Sequence, residues 1–368
     1  MKDKQEIKFI NNMGIKQLHK LLRKHCPEVY VTQPLSAYRY KKLAIDASLY
    51  MFKYKTSAGD RWLSCFVSLI AALRRNEIHA MFCFDNGAPI EKQQERATRQ
   101  DARQKIKTKA EEIEDALREF DLSGEVGGCL RDLMDKSTVT KERKLLGTSG
   151  GRSNTNRFDR KIAETELKRL QNQSISISTE DFVLLKQLCT IMNVPIVEAP
   201  DEAEKKCSEL CIGESIYGVI TEDTDVLCYG CPVFLTSIQY HKSECIEIAI
   251  QDVLDCLDLT YESFRDLCIM CGTDYNKNIF KIGPEKAYAL IRKYKNIETI
   301  QEETDLDTSI LNHVRSRELF TAIPDTTEVS FCKIPDFNKL DMFLFENNSK
   351  VDVSGLKKSF MQHDMIFD

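Results

Sequence analysis

Residues 217–225 read YGVITEDTD: a short run of strand-forming side chains centred on Val219 and Ile220 passes directly into three acids, Glu222, Asp223 and Asp225. The same pattern occurs twice upstream. Residues 42–46 (KLAID) and 79–85 (HAMFCFD) are apolar runs that finish on Asp46 and Asp85, and an apolar stretch of helical character, residues 62–73, lies between them. Strands alternating with helices predict an α/β fold with a parallel-rich sheet, in which ligands bind beyond the carboxyl ends of the strands. One acid at such a position is an ordinary loop residue or helix cap. Recurrence at three strand ends points instead to one pocket lined with carboxylates.

Further acids extend the set. Residues 199–210 (APDEAEKKCSEL) open a helix with Pro200 near its first turn, and Asp201 and Glu204 have the spacing of a capping box. That box accounts for Glu204 but not for Glu202, and acids crowded into one turn repel unless the helix dipole and a cation offset them. Asp223 and Asp225, two residues apart, face one side of an extended backbone. Asp274, in the GTDY turn after a helical run, is unremarkable alone. Together, Asp46, Asp85, Glu202, Glu204, Asp223, Asp225 and Asp274 are hard oxygen donors with no accompanying His or Cys set, which suits Mg²⁺ or Mn²⁺ rather than zinc. So many acids suggest two ions, the arrangement that supports in-line phosphodiester hydrolysis.

The chain has 368 residues with 52 Lys and Arg against 57 Asp and Glu, and a net charge of −5 argues on its face against a polyanionic partner. The distribution reverses that. Setting aside the seven acids leaves +2, and the positive charge is concentrated. Residues 91–110 contain seven Lys or Arg and no Gly or Pro, a basic helix in which Lys92 and Arg99 share a face. Such a face is either simply solvated or grips phosphate. In residues 281–295 (KIGPEKAYALIRKYK), Ile282, Gly283 and Pro284 turn tightly into a helix carrying Lys286, where backbone N–H groups can meet phosphate. Residues 121–178 shift to Gly, Ser, Thr, Asn and basic side chains, and read as a mobile polar insertion without a core of its own.

Fourteen cysteines are scattered through apolar runs and read as free thiols; Cys228 with Cys231 and Cys268 with Cys271 form CxxC pairs separated by 36 residues, longer than usual zinc spacing. No run approaches the roughly eighteen apolar residues of a membrane helix, and the N-terminus lacks a signal-peptide pattern. The chain therefore reads as soluble and intracellular.

The segments MGIKQL (13–18), AIDAS (44–48), FCFDNG (82–87), EAPDEAE (198–204), ITEDTDVLCYG (220–230), CGTDY (271–275) and KIGPEKA (281–287) together resemble, in order, the flap endonuclease/XPG family of structure-specific 5′ nucleases. The resemblance spans residues 13–295 apart from the polar insertion. It implies a PIN-like, parallel-rich α/β sheet flanked by helices, with a helical arch and a C-terminal helix-turn-helix DNA-binding region. It implies that the seven acids bind two Mg²⁺ ions, with Mn²⁺ able to substitute, and that Lys92 and Arg99 reach the scissile phosphate from the arch. Lys168 and Arg169 match further arch residues. The turn at Ile282, Gly283 and Lys286 would grip duplex backbone with a K⁺ ion, and Phe52 stands where an aromatic stacks on an unpaired nucleotide. The implied activity is Mg²⁺-dependent cutting of 5′ flaps in branched double-stranded DNA, by a monomer acting in replication or repair in the nucleus, or in a replication compartment if the gene is viral. The alternatives are a 5′-to-3′ exonuclease, a junction-resolving nuclease, and, in another class, a non-catalytic branched-DNA binder, against which the intact set of acids argues.

Several features depart from the family pattern. Twelve residues precede Met13, where the family usually begins, placing the following glycine, here Gly14, close to the active site. Asp46 and Asp85 are only 39 positions apart, which argues against a pocket for a one-nucleotide 3′ flap. Lys281 replaces a usual glycine, and no Q-x-x-L-x-x-F-F motif for a sliding clamp is found. The expected organisation is an extension (1–12), a nuclease region with the arch helix (13–120), the polar insertion (121–178), a second nuclease region with the DNA-binding turn (179–300), and a C-terminal region packing on the core (301–368).

Overall fold

The structure, a computed structural model, describes residues 14–87, 89–135 and 158–362. Among the described residues, seven segments form strands: β1 (Val31–Pro34), β2 (Lys42–Asp46), β3 (His79–Phe84), β4 (Ile196–Glu198), β5 (Gly218–Ile220), β6 (Val233–Gln239) and β7 (Glu244–Ala249). They make one mixed sheet in the order β1-β7-β6-β5-β2-β3-β4. The five strands from β6 to β4 run parallel, whereas β7 pairs antiparallel with β6 and with β1. Side-chain alternation divides the apolar residues between two faces. Ala44, Met81, Val219 and Phe234 join one core, and Leu43, Ile45, Phe82, Phe84, Ile220 and Leu235 join the other. Burial on both faces is why these parallel strands read as continuous apolar runs.

The topology places the site. From β2 the chain moves outward through β3 to β4, then returns to the opposite side of β2 for β5 and β6. Strand order therefore reverses between β2 and β5, opening the crevice at which α/β sheets bind ligands. Ile45 pairs with Ile220 and Asp46 with Cys83, so the acids after these strands leave the sheet at one level.

The helices are α1 (Leu18–His25), α2 (Ala47–Ala58), α3 (Trp62–Arg75), α4 (Gln93–Ser123), α5 (Arg160–Gln173), α6 (Thr179–Ile191), α7 (Ala203–Ile212), α8 (Asp225–Cys228), α9 (Ile250–Leu257), α10 (Tyr261–Cys271) and α11 (Pro284–Tyr294), with further helices toward the C-terminus. Leu18, Leu21 and Leu22 of α1, with α7 and α10, cover the first core; α3 and α6 cover the second. All fourteen cysteines are free, and Cys228, Cys231, Cys268 and Cys271 are fully buried in the first core as small hydrophobes. No described helix is long and apolar enough to cross a membrane.

The described residues among 55–59 and 96–176 form a second compact unit, distinct from the one containing the sheet. Here the structure departs from the polar reading of residues 121–178. Leu130, Ala163 and Leu170 pack with Ile113 and Leu117 of α4 into a small core, and the rings of Phe120 and Phe158 lie 4.5 Å apart. Asp159 caps α5 by accepting from the Lys161 amide at 3.1 Å. These apolar positions are spaced widely among Gly, Ser and basic residues, which hides their helical period. Residues 136–157 lie outside the described residues.

Candidate active site

Asp46 ends β2 and is almost completely buried. Its Oδ1 accepts from the Leu49 amide at 3.1 Å, at the start of α2, and its Oδ2 accepts from the Thr221 hydroxyl at 3.4 Å. The same hydroxyl accepts from the Asp223 amide at 3.2 Å, so Thr221 joins the ends of β2 and β5. Asp223 Oδ1 in turn accepts from the Asp225 amide at 2.9 Å, which places both acids at the opening of α8. Glu222, which directly precedes Asp223, turns away from these acids toward Thr236 of β6. It is fully buried against Lys53 at 2.7 Å and the Thr236 hydroxyl at 2.5 Å, and so belongs to the packing.

Gly14 closes over this turn with a φ of 72°. A Cβ there would collide with Asp223 Oδ1 and lie 2.8 Å from the Thr224 amide nitrogen, so only glycine fits both the backbone conformation and the approach.

Across the crevice, Asp85 follows β3 and accepts from the Ala203 amide at 2.7 Å. This corrects the capping box expected between Asp201 and Glu204. Glu202 is the N-cap of α7 without a side-chain cap bond of its own, Asp201 is exposed, and Asp85, 118 residues earlier in sequence, satisfies the helix end. Glu202 and Glu204 are thereby released toward the other acids. Glu202 Oε1 accepts the Lys92 ammonium, and Asp274 lies 3.4 Å from the same nitrogen. Glu202 Oε2 accepts the hydroxyls of Tyr275 and, at 3.4 Å, Tyr229.

The electrostatics follow from burial and crowding. Burial, then the Asp85 charge, pushes Asp46 up to about 7. Burial pushes Asp223 up to about 6, with Asp274 and Glu202 adding to it and the Asp225 amide and Lys92 opposing it. Asp225 is raised well above the usual carboxylate range by burial and by Asp223, and Glu204 by burial, Asp46 and Asp85. Burial disfavours the Lys92 charge, but Glu204, Glu202 and Asp274 outweigh it and hold the ammonium well above its ordinary value. These acids cannot all ionise without added positive charge. Asp225 Oδ1 is buried with no hydrogen-bond partner, an orphaned acceptor of the kind a cation satisfies. As the side chains stand, no three His, Cys, Asp or Glu among the described residues converge closely enough to hold an ion. The donor set is nevertheless all hard oxygen and fits Mg²⁺ or Mn²⁺.

The seven acids anticipated from the sequence are thus brought into one electrostatically coupled cluster, with Lys92 among them. Lys92 lies in the 3₁₀ turn Ile90–Lys92 that runs directly into α4. Arg99 is exposed on α4 in the second unit, and Arg169 pairs with Glu166 at 2.6 Å. Phe52 is half-buried on α2. On a separate element, between α10 and α11, Ile282 packs partly on the first core, Gly283 is the N-cap of α11 with open space at its Cβ position, and Lys286 is exposed. Lys281 adopts a φ of 62°, a left-handed conformation that explains the glycine of the family pattern. Thr221, Tyr229 and Tyr275 also bear on the site, and their only signal in the sequence is their place inside the ITEDTDVLCYG and CGTDY segments.

The sheet, crevice and flanking helices define an α/β nuclease fold of PIN-like type. The catalytic core of Rad2 in complex with DNA substrate superposes with a TM-score of 0.63 at 17% identity, covering 94% of this chain and 99% of that one. Residues 13–106 match the XPG N-terminal domain and residues 193–274 the XPG I-region. Probable RAD2-like endonuclease 076L of Invertebrate iridescent virus 3 is 35% identical over 90% of this chain and 92% of its own length, and flap endonuclease 1 of Zea mays is 28% identical over 91% and 83%. The chain belongs to the XPG family of RAD2-like and flap endonucleases, and is a phosphodiester hydrolase of that family.

Proposed function

We propose that this nuclease is metal-dependent and structure-specific, and cuts branched DNA near the base of a 5′ single-stranded flap. The observation that carries the reading is the cluster of buried acids at the switch point of the sheet, with raised carboxyl pKa values and an unpartnered Asp225 Oδ1. Asp46, Asp85, Glu202, Glu204, Asp223, Asp225 and Asp274 would hold two Mg²⁺ ions, with Mn²⁺ able to substitute. The chemistry such ions supply is a more acidic water and neutralisation of charge building on the phosphate. Lys92 then places an ammonium beside the reacting phosphate, and Arg99 adds positive charge from α4. Phe52 would stack on an unpaired base. The turn at Ile282, Gly283 and Lys286 would hold duplex backbone through amides, the lysine and a K⁺ ion. The flap preference draws support from the Zea mays relative, and DNA as substrate from the Rad2 complex. We place its action, as a monomer, on DNA in the nucleus or a viral replication compartment.

End-labelled 5′-flap, blunt duplex and four-way junction DNA substrates, compared side by side with Mg²⁺, separate the readings. One product of defined size, from incision near the flap base, is the expected result. Stepwise shortening of the blunt duplex would make the enzyme an exonuclease. Paired symmetrical nicks in the junction would make it a resolving nuclease.

A further inference from the structure

Glu202 is held from two sides by different chemistry. Its Oε2 accepts the hydroxyls of Tyr275 and Tyr229, which themselves lie 3.0 Å apart, while its Oε1 accepts the Lys92 ammonium. Tyr229 is the C-cap of α8, the short helix that begins with Asp225, and Tyr275 directly follows Asp274. Each tyrosine therefore ties Glu202 to a segment bearing another acid of the cluster. Both rings are buried and pack on Phe320, at centroid distances of 5.1 and 5.0 Å. Phenylalanine would fill the same space without the desolvation cost of a buried hydroxyl, so the hydroxyls, rather than the rings, carry the specific role. Lys92 Nζ lies 6.0 Å from the Tyr275 ring centroid and spans Glu202 and Asp274.

We propose that Tyr275 and Tyr229 are positioning residues that anchor Glu202 through Oε2, so that Oε1 serves one cation at a time: Lys92 in the DNA-free protein, and a divalent ion once Lys92 is drawn to phosphate. This deepens, and rests on, the metal-nuclease reading above. Two donors on one oxygen fix the carboxylate plane and leave the other oxygen facing Lys92. An ammonium and a divalent ion cannot share that position, because like charges at such separations repel strongly. Lys92 thus competes with metal until substrate removes it, and metal and DNA assist each other's binding by the same factor.

The test is Mn²⁺ binding to the DNA-free protein, read from the electron paramagnetic resonance of the free ion and so independent of turnover. Wild type is compared with Tyr275→Phe, Tyr229→Phe, Lys92→Met and, as a control for the site, Asp223→Ala; thermal unfolding of each variant confirms its fold. Tyr275→Phe should weaken Mn²⁺ binding about tenfold, in the usual range for groups that orient a metal ligand. Tyr229→Phe, whose hydroxyl is the more distant, should weaken it less, and Lys92→Met should tighten it. In turnover, Tyr275→Phe should lower kcat and raise KM for DNA at limiting metal, and both should return to wild-type values with excess metal. Folded Tyr275→Phe and Tyr229→Phe proteins that both bind Mn²⁺ as wild type does would overturn the anchoring role. Lys92→Met binding Mn²⁺ no more tightly would overturn the competition. Equal binding by wild type and Asp223→Ala would overturn the metal reading itself, a result distinct from either.

Discussion

Lys92 balances the charge of the acid cluster through Glu202 and Asp274, and in the proposed reaction it faces the phosphate instead. Lys92→Ala should therefore lower kcat by roughly 10²- to 10³-fold, as loss of a group that acts on transition-state charge does, with little change in DNA affinity. Single-turnover cleavage beside equilibrium binding measures both; an unchanged rate would remove Lys92 from the chemistry. The acids make a separate prediction about pH. Asp46, held up at about 7, and Asp223, at about 6, each chiefly by burial, keep protons in the folded protein that the unfolded chain sheds near pH 4. The folded state binds more protons across that window, so stability of the metal-stripped protein should fall as pH rises from about 4 to about 7 and then level off. A divalent ion favours the ionised acids. It should raise the melting temperature more at about pH 7.5 than at about pH 5, and an equal rise at both would contradict the assignment of these two residues.

At the level of elements, the second unit rests on few apolar contacts. Leu170 of α5 is 3% exposed and packs in the small core with Leu130 and with Ile113 and Leu117 of α4. Leu170→Ala should cost about 2–4 kcal/mol of local stability, the usual range for a buried leucine truncated to alanine. Amide hydrogen exchange should show it as faster exchange in residues 96–123 and 160–173, with β2, β3 and β5 unchanged, because the sheet owns separate cores. Acceleration spread equally over both units would show that they open as one.

Across the whole molecule, what could be read in the sequence depended on the range of the interaction. β2, β3 and β5 were legible because strands buried on both faces are continuous apolar runs and each passes into an acid, so their shared pocket followed from fold class alone. β6 and β7 carry no comparable mark, since β7, between β6 and the edge strand β1, breaks its apolar run with Glu244 and Glu247. The cap of α7 misled because the partner of the Ala203 amide is Asp85, far away in sequence, and a local box was the only visible candidate. Tyr229 and Tyr275 could not be told from ordinary core aromatics, because their role lies in where the hydroxyl points.

The account's central claim is that the acids at the switch point hold catalytic metal. It is tested most directly by cleavage of a labelled 5′-flap DNA with and without Mg²⁺, by wild type and by Asp223→Ala, with DNA binding followed in parallel. The account predicts Mg²⁺-dependent incision near the flap base by wild type, and loss of incision with retained DNA binding in the variant. Cleavage that persists in a chelator, or in Asp223→Ala at the wild-type rate, would contradict it.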